Sequence, residues 1–148
     1  ERGWANTLIF FSRISGLGMS FVSGWTTDRF GAKRTLIVMF FFTGLTTILL
    51  GTIQGGPWMI LMVLLQPLLA VCFFPAGFAA LALTAAPSLR NIAVSLTIPL
   101  AFILGGGTIP TLIGIAADAG AFSLGIIVVG GLIVGGSVLS SRLHFPGD

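Results

Sequence analysis

The chain has 148 residues, of which 55% are hydrophobic and only 7% charged, with a formal net charge of +3. A water-soluble domain of this length carries about a quarter charged residues, so the composition excludes a soluble globular protein and predicts an integral membrane protein. Seven Lys and Arg, one Cys and one His are too few for a nucleic-acid surface, a disulfide framework or a self-contained zinc site, and no metal or cofactor is expected.

A membrane-crossing helix needs about 20 mostly apolar residues. Five runs qualify, at 4–25, 35–53, 58–84, 89–116 and 122–141. They are separated by a charged hairpin at 26–34, by Gln54-Gly55-Gly56-Pro57, by Ala86-Pro87-Ser88 and by Asp118-Ala119-Gly120, all turn-forming sequences. None shows the polar–apolar alternation of a membrane β-strand. The predicted fold is an all-α polytopic membrane helix bundle whose neighbouring helices run antiparallel. The chain opens on Glu1 with no signal-peptide pattern, and the expectation is a fragment whose upstream part is missing.

The first run is bracketed by Trp4 and Trp25, about 31 Å apart along a helix, the thickness of a hydrocarbon core. Arg13 falls midway between them. An arginine at that depth costs about 2.5–3.5 kcal/mol on insertion scales and is tolerated facing a wet cavity rather than lipid. Asn6, Arg13 and Ser20 recur every seven residues and predict a polar stripe, while Ser12, Gly16, Ser20 and Gly24 recur every four and predict a small-residue packing seam. Three partners for Arg13 stay open: a substrate anion held bidentately by the guanidinium, a salt bridge to an acid outside this sequence, or wet headgroups at the rim.

The hairpin Gly24-Trp25-Thr26-Thr27-Asp28-Arg29-Phe30-Gly31-Ala32-Lys33-Arg34 gathers Asp28, Arg29, Lys33 and Arg34 around Gly31, where a tight turn of positive φ is expected. In the second run Thr43, Thr47 and Gly51 form another seam. Trp58 opens the third run at an interface, as belt tryptophans do. Its Gln66-Pro67 and Phe74-Pro75-Ala76-Gly77 predict kinks. Gln66 lines the cavity or bonds a neighbouring helix. Phe73, Phe74 and Phe78 read as packing more readily than as a substrate cage, and Cys72 as a buried, inert thiol. The fourth run opens with Arg90 and carries Gly105-Gly106-Gly107 followed by Pro110 and Gly114. That pattern is either a gating hinge or a close-packing face, and it is not a phosphate loop, lacking a preceding strand and a Lys-Ser/Thr pair. The fifth run has the seam Gly130-Gly131-x-x-x-Gly135-Gly136, and His144 follows it. If the helices alternate, Arg29, Lys33, Arg34, Arg90 and Arg142 share one side, with Arg2 and Asp118 on the other. The positive-inside rule then makes the hairpin and C-terminus cytoplasmic and the N-terminus external, in a cell membrane.

Gly24-x-x-x-Asp28-Arg29-x-Gly31-x-Lys33-Arg34 resembles the signature loop of the major facilitator superfamily. Ala32 stands where that family usually has a basic residue, and Thr26-Thr27 replace a small apolar pair. The Gly105-to-Gly114 run is similar to helix 11 of such transporters, or its counterpart helix 5. The resemblance implies that residues 1–148 are a partial C-terminal six-helix bundle covering helices 8–12, with a missing N-terminal half as partner. It implies a secondary transporter, symporter or antiporter, working by alternating access. Gly24, Asp28, Arg29, Gly31, Lys33, Arg34 and Arg90 would form a gate, with Asp28 near the N-terminus of the fourth helix, a contact worth about 0.3–1 kcal/mol when exposed. Gly24 would allow close helix approach. Asn6, Arg13, Ser20 and Gln66 would contact the substrate, expected to be a small organic anion such as a carboxylate, with a coupling proton or ion. Gly105, Gly106, Gly107 and Pro110 would serve as the hinge. The alternatives are efflux of drugs or other hydrophobic compounds, and a non-transporting scaffold of the same fold. With no nucleophile–base pair or metal cluster, no enzyme is expected.

Overall fold

The structure, a computed structural model, describes the backbone of residues 2–143 and the side chains of residues 7, 10 and 16–143. Among the described residues all regular structure is helical. It comprises α1 (Arg2–Phe30), α2 (Ala32–Thr52), α3 (Gly56–Thr84), α4 (Arg90–Ala101), a π-helical turn (Phe102–Thr108), α5 (Ile109–Asp118) and α6 (Phe122–Ser141). α4, the π turn and α5 form one continuous span. The all-α membrane bundle expected from the sequence is what the chain adopts. α2, α3, the α4–α5 span and α6 are each long and apolar enough to cross a bilayer. α2 and α6, of 21 and 20 residues, match a hydrocarbon core of about 30 Å. α1 and α3, of 29 residues each, reach about 43 Å and must tilt or protrude. Trp25 near the end of α1 and Trp58 at the start of α3 are both exposed, at opposite ends of the bundle, where interfacial tryptophans sit.

The segment read as a loop over 26–34 is instead helical on both sides of a single residue, Gly31. Its φ of 88° and ψ of 151° lie in a region open essentially to glycine alone. The Gly31 N–H closes the last turn of α1 on the Thr27 carbonyl at 2.9 Å, and its own carbonyl accepts the Thr35 N–H at 3.2 Å. α3 runs unbroken through Pro67 and Pro75.

α2 and α6 pack antiparallel with their backbones in contact. A Cβ on Gly44 would lie 2.6 Å from Val134 Cγ2 and 2.8 Å from the Gly130 carbonyl oxygen, and one on Gly130 would lie 2.9 Å from that of Gly44. Gly51 is similarly close to Ile127 and Ser123. Ser137 Oγ donates across this interface to the Ile37 carbonyl at 3.0 Å. The Thr43–Thr47–Gly51 face is therefore the packed one. In the α6 seam Gly130 makes the contact, while Gly131 and Gly135 face open space.

α1 packs on α3 through Gly16, which meets Val71, and through the buried Ser23, whose hydroxyl donates to the Cys72 carbonyl. Cys72 Sγ returns a weak bond to the Met19 carbonyl at 3.7 Å. The every-four seam expected on α1 is thus displaced. Gly16, Ser23 and Thr27 are buried, Ser20 is half-buried, and a Cβ on Gly24 would meet nothing within 4 Å, so Gly24 does not mediate a close approach. α2 and α3 join through Ala32, Leu36, Ala76 and Ala80, with Phe40 and Phe73 rings 4.9 Å apart. Ala32 is small because it lies in this cluster, where a basic side chain would be buried against apolar carbon.

Gly44→Ala is expected to overpack the α2–α6 contact and cost about 1–3 kcal/mol. The paired change Gly135→Ala, on an open face, should stay within about 0.5 kcal/mol. Thermal unfolding of both variants in detergent measures the difference.

Candidate functional site

The hairpin is held by its threonines. Thr27 Oγ1 donates to the Ser23 carbonyl at 2.7 Å, and Thr35 Oγ1 to the Gly31 carbonyl at 3.0 Å and to Thr26 at 3.4 Å. Thr27 and Thr35 are buried, whereas Asp28, Arg29 and Arg34 are exposed and Lys33 is half-buried. Among the described residues the Asp28 carboxylate forms no hydrogen bond or ion pair. The contact expected between Asp28 and the start of the fourth span is not made, because α1 and α4 do not touch. Thr35 escaped the sequence reading. Its signal is a hydroxyl placed four residues after a turn glycine, able to bond back to the turn carbonyl.

Asn6 and Arg13 lie outside the described side chains, as do Trp4 and Ser12, and His144 lies outside the described residues. The stripe they begin continues at Ser20, whose hydroxyl donates to the Gly16 carbonyl of its own helix at 3.1 Å. Gln66 makes the helix-to-helix bond: its Nε2 donates to Thr47 Oγ1 at 3.4 Å, and Thr47 donates onward to the Thr43 carbonyl at 2.7 Å. Ser20 and Gln66 are on α1 and α3, and neither lines the cavity described below.

Gly105, Gly106, Gly107 and Pro110, the residues expected to form a hinge, fall in or beside the π turn. The Ile109 N–H bonds the Leu104 carbonyl five residues back, and Thr108 Oγ1 bonds the Ile103 carbonyl, also five back, at 3.1 Å. Pro110 has no N–H to give and its ring crowds the carbonyl four residues before it, Gly106. A widened turn relieves that crowding, and three glycines offer little resistance to it. The span changes neighbours here: α4 touches α3 but not α6, whereas α5 touches α6 but not α3. The face of Gly106, Pro110 and Gly114 is exposed, so among the described residues no helix packs on it.

A cavity of about 390 Å³ lies at the hairpin end between α2, α3, α4 and α6. Phe40, Phe73, Phe74, Phe78 and Phe102 form its walls, and Thr84, Thr97 and Ser140 supply hydroxyls. Among the described residues no titratable side chain lines it, so the walls they form suit an apolar guest. Phe73 packs as expected, against Phe40, but Phe74 and Phe78, stacked at 6.3 Å, face the cavity. Sequence pattern carried only the four-residue spacing of that pair, since Phe40 and Phe102 arrive from other helices.

Composition and fold together define a polytopic α-helical membrane protein. No protein-family model, characterised protein or solved structure matches the chain.

Gly31→Ala is expected to cost about 1–3 kcal/mol through its backbone conformation, while Gly105→Ala, with open space at its Cβ, should not destabilise. Comparing their unfolding midpoints tests whether the turn, rather than helix glycine in general, sets stability.

Proposed function

We propose that the chain is part of a secondary transporter of the major facilitator type, moving a small organic anion across a cell membrane by alternating access. The hairpin and C-terminus would be cytoplasmic. The observation that carries this reading is the placement of the hairpin charges against local stability. Asp28 occupies the last turn of α1, while Lys33 and Arg34 occupy the first turn of α2. Each is at the helix end whose dipole disfavours it, by about 0.3–1 kcal/mol; only Arg29 is favourably placed. Charges held there against the dipole suit a latch that pairs elsewhere in another state. On this reading the unpartnered Asp28 belongs to a state in which the latch is open.

The π turn supplies a deformable point in the span beside the cavity, which supports a moving part there. The span has no buried residue, which supports neighbours from a missing half of the transporter. Arg13, with Asn6 and Ser20 on its stripe, is the proposed anion site; a coupling proton or ion would bind outside these residues or travel with the substrate. A second reading, transport of hydrophobic compounds, is favoured by the apolar cavity.

In the full-length protein, Arg13→Ala should lower anion uptake about tenfold or more, the loss of a charge-assisted hydrogen bond, with Arg13→Lys retaining part of it. Unchanged uptake in both variants overturns the anion reading. Asp28→Asn should increase labelling of cysteines introduced at the cytoplasmic side of the pathway, and equal labelling counts against the latch.

A further inference from the structure

We propose that the cavity at the hairpin end is a binding site for one acyl chain of an anionic membrane lipid, which enters sideways between α4 and α6. Its volume of about 390 Å³ is in the range of ligand pockets, and it is open to the outside rather than enclosed. Water is a poor filler, since it needs two to four polar partners, the walls are mostly phenylalanine and aliphatic carbon, and the Thr84 and Thr97 hydroxyls already bond carbonyls of their own helices. The opening is lateral: no Cα of α4 comes within 8 Å of α6, although both helices line the cavity. In a bilayer that gap faces acyl chains.

Two further observations give the guest a polar end. Ser140 lines the cavity and is only 5% exposed, yet among the described residues its hydroxyl has no hydrogen-bond partner. A lipid ester carbonyl would accept from it. The cavity also reaches the end of the bundle where the cations gather, at Thr84 and Leu143. Arg90 stands seven residues before the lining residue Thr97, on the same face of α4, and Arg142 adjoins the lining residue Leu143. Both arginines are exposed and suit a phosphate headgroup at the interface. Among the described residues α1 contributes no lining residue, and the proposal does not rest on the transport reading.

The test is photo-crosslinking of the full-length protein in liposomes, with phosphatidylglycerol carrying a diazirine on its acyl chain and phosphatidylcholine carrying the same group. Phosphatidylglycerol should label the peptides containing Phe74, Phe78 and Phe102. Ala101→Trp fills the cavity, with Ala101→Leu as a milder version. Labelling there should fall about tenfold in Ala101→Trp, as expected when two methylenes are excluded, while labelling at the outward-facing Leu132 of α6 persists. Arg90→Gln and Arg142→Gln should each reduce phosphatidylglycerol labelling about fivefold and leave phosphatidylcholine labelling unchanged. Labelling indifferent to Ala101→Trp, or equal for the two lipids, overturns the proposal. So does displacement of the label by a hydrophobic solute that the protein itself transports, which would make the cavity a substrate site.

Discussion

The architecture depends on one constraint of the bilayer. Lipid tails are as apolar as the side chains, so burying Leu or Phe gives helices no reason to associate. What remains is close contact between backbones and hydrogen bonds that cross from helix to helix. The Gly44–Gly130 approach provides the first. Ser23 to the Cys72 carbonyl, Ser137 to the Ile37 carbonyl and Gln66 to Thr47 provide the second, each of a kind worth about 0.6 kcal/mol on average. Two of these bonds tie α1 to α3 and α2 to α6, and the third, from Gln66 on α3 to Thr47 on α2, links those pairs. The buried aromatic and alanine layer around Phe40, Phe73, Ala32 and Ala80 joins them as well.

The fourth span belongs to neither pair. It leans on α3 at the hairpin end and on α6 at the other, and the π turn marks the crossover. The cavity exists because of that crossover: leaving α6 to reach α3 opens a wedge that Phe102 and the α3 phenylalanines line without closing. The glycines and Pro110 that look like a hinge in the sequence thus also determine where the bundle is hollow.

The spans were legible because hydrocarbon imposes length and composition on each helix separately, and the breaks at Gly55-Gly56 and Gly120 carry positive φ as turn residues should. The α2 seam was legible too, on the correct face. The α1 seam was not, for a geometric reason. A repeat of four advances about 40° past a full turn at each step, so Ser12-Gly16-Ser20-Gly24 winds away from its neighbour, whereas Gly16, Ser23 and Thr27 combine steps of seven and four and stay on it. The hairpin was read as a loop because charge is a good sign of a membrane end and a poor sign of helix termination. Thr26 and Thr27 bond back to the Ser23 carbonyl and the helix continues to the one residue that can reverse it. The cavity was illegible, since its walls come from four helices and no local pattern links Phe40 to Phe102.

At Gly31 the chain has no slack. Two torsion angles are the whole articulation between α1 and α2, and no intervening loop can absorb a displacement. A tilt imposed on α1 is therefore delivered to the root of α2 and, through the glycine contact, to α6. The other connections, at 53–55, 85–89 and 119–121, are longer, so mechanical stiffness in this protein is concentrated at the one glycine between α1 and α2.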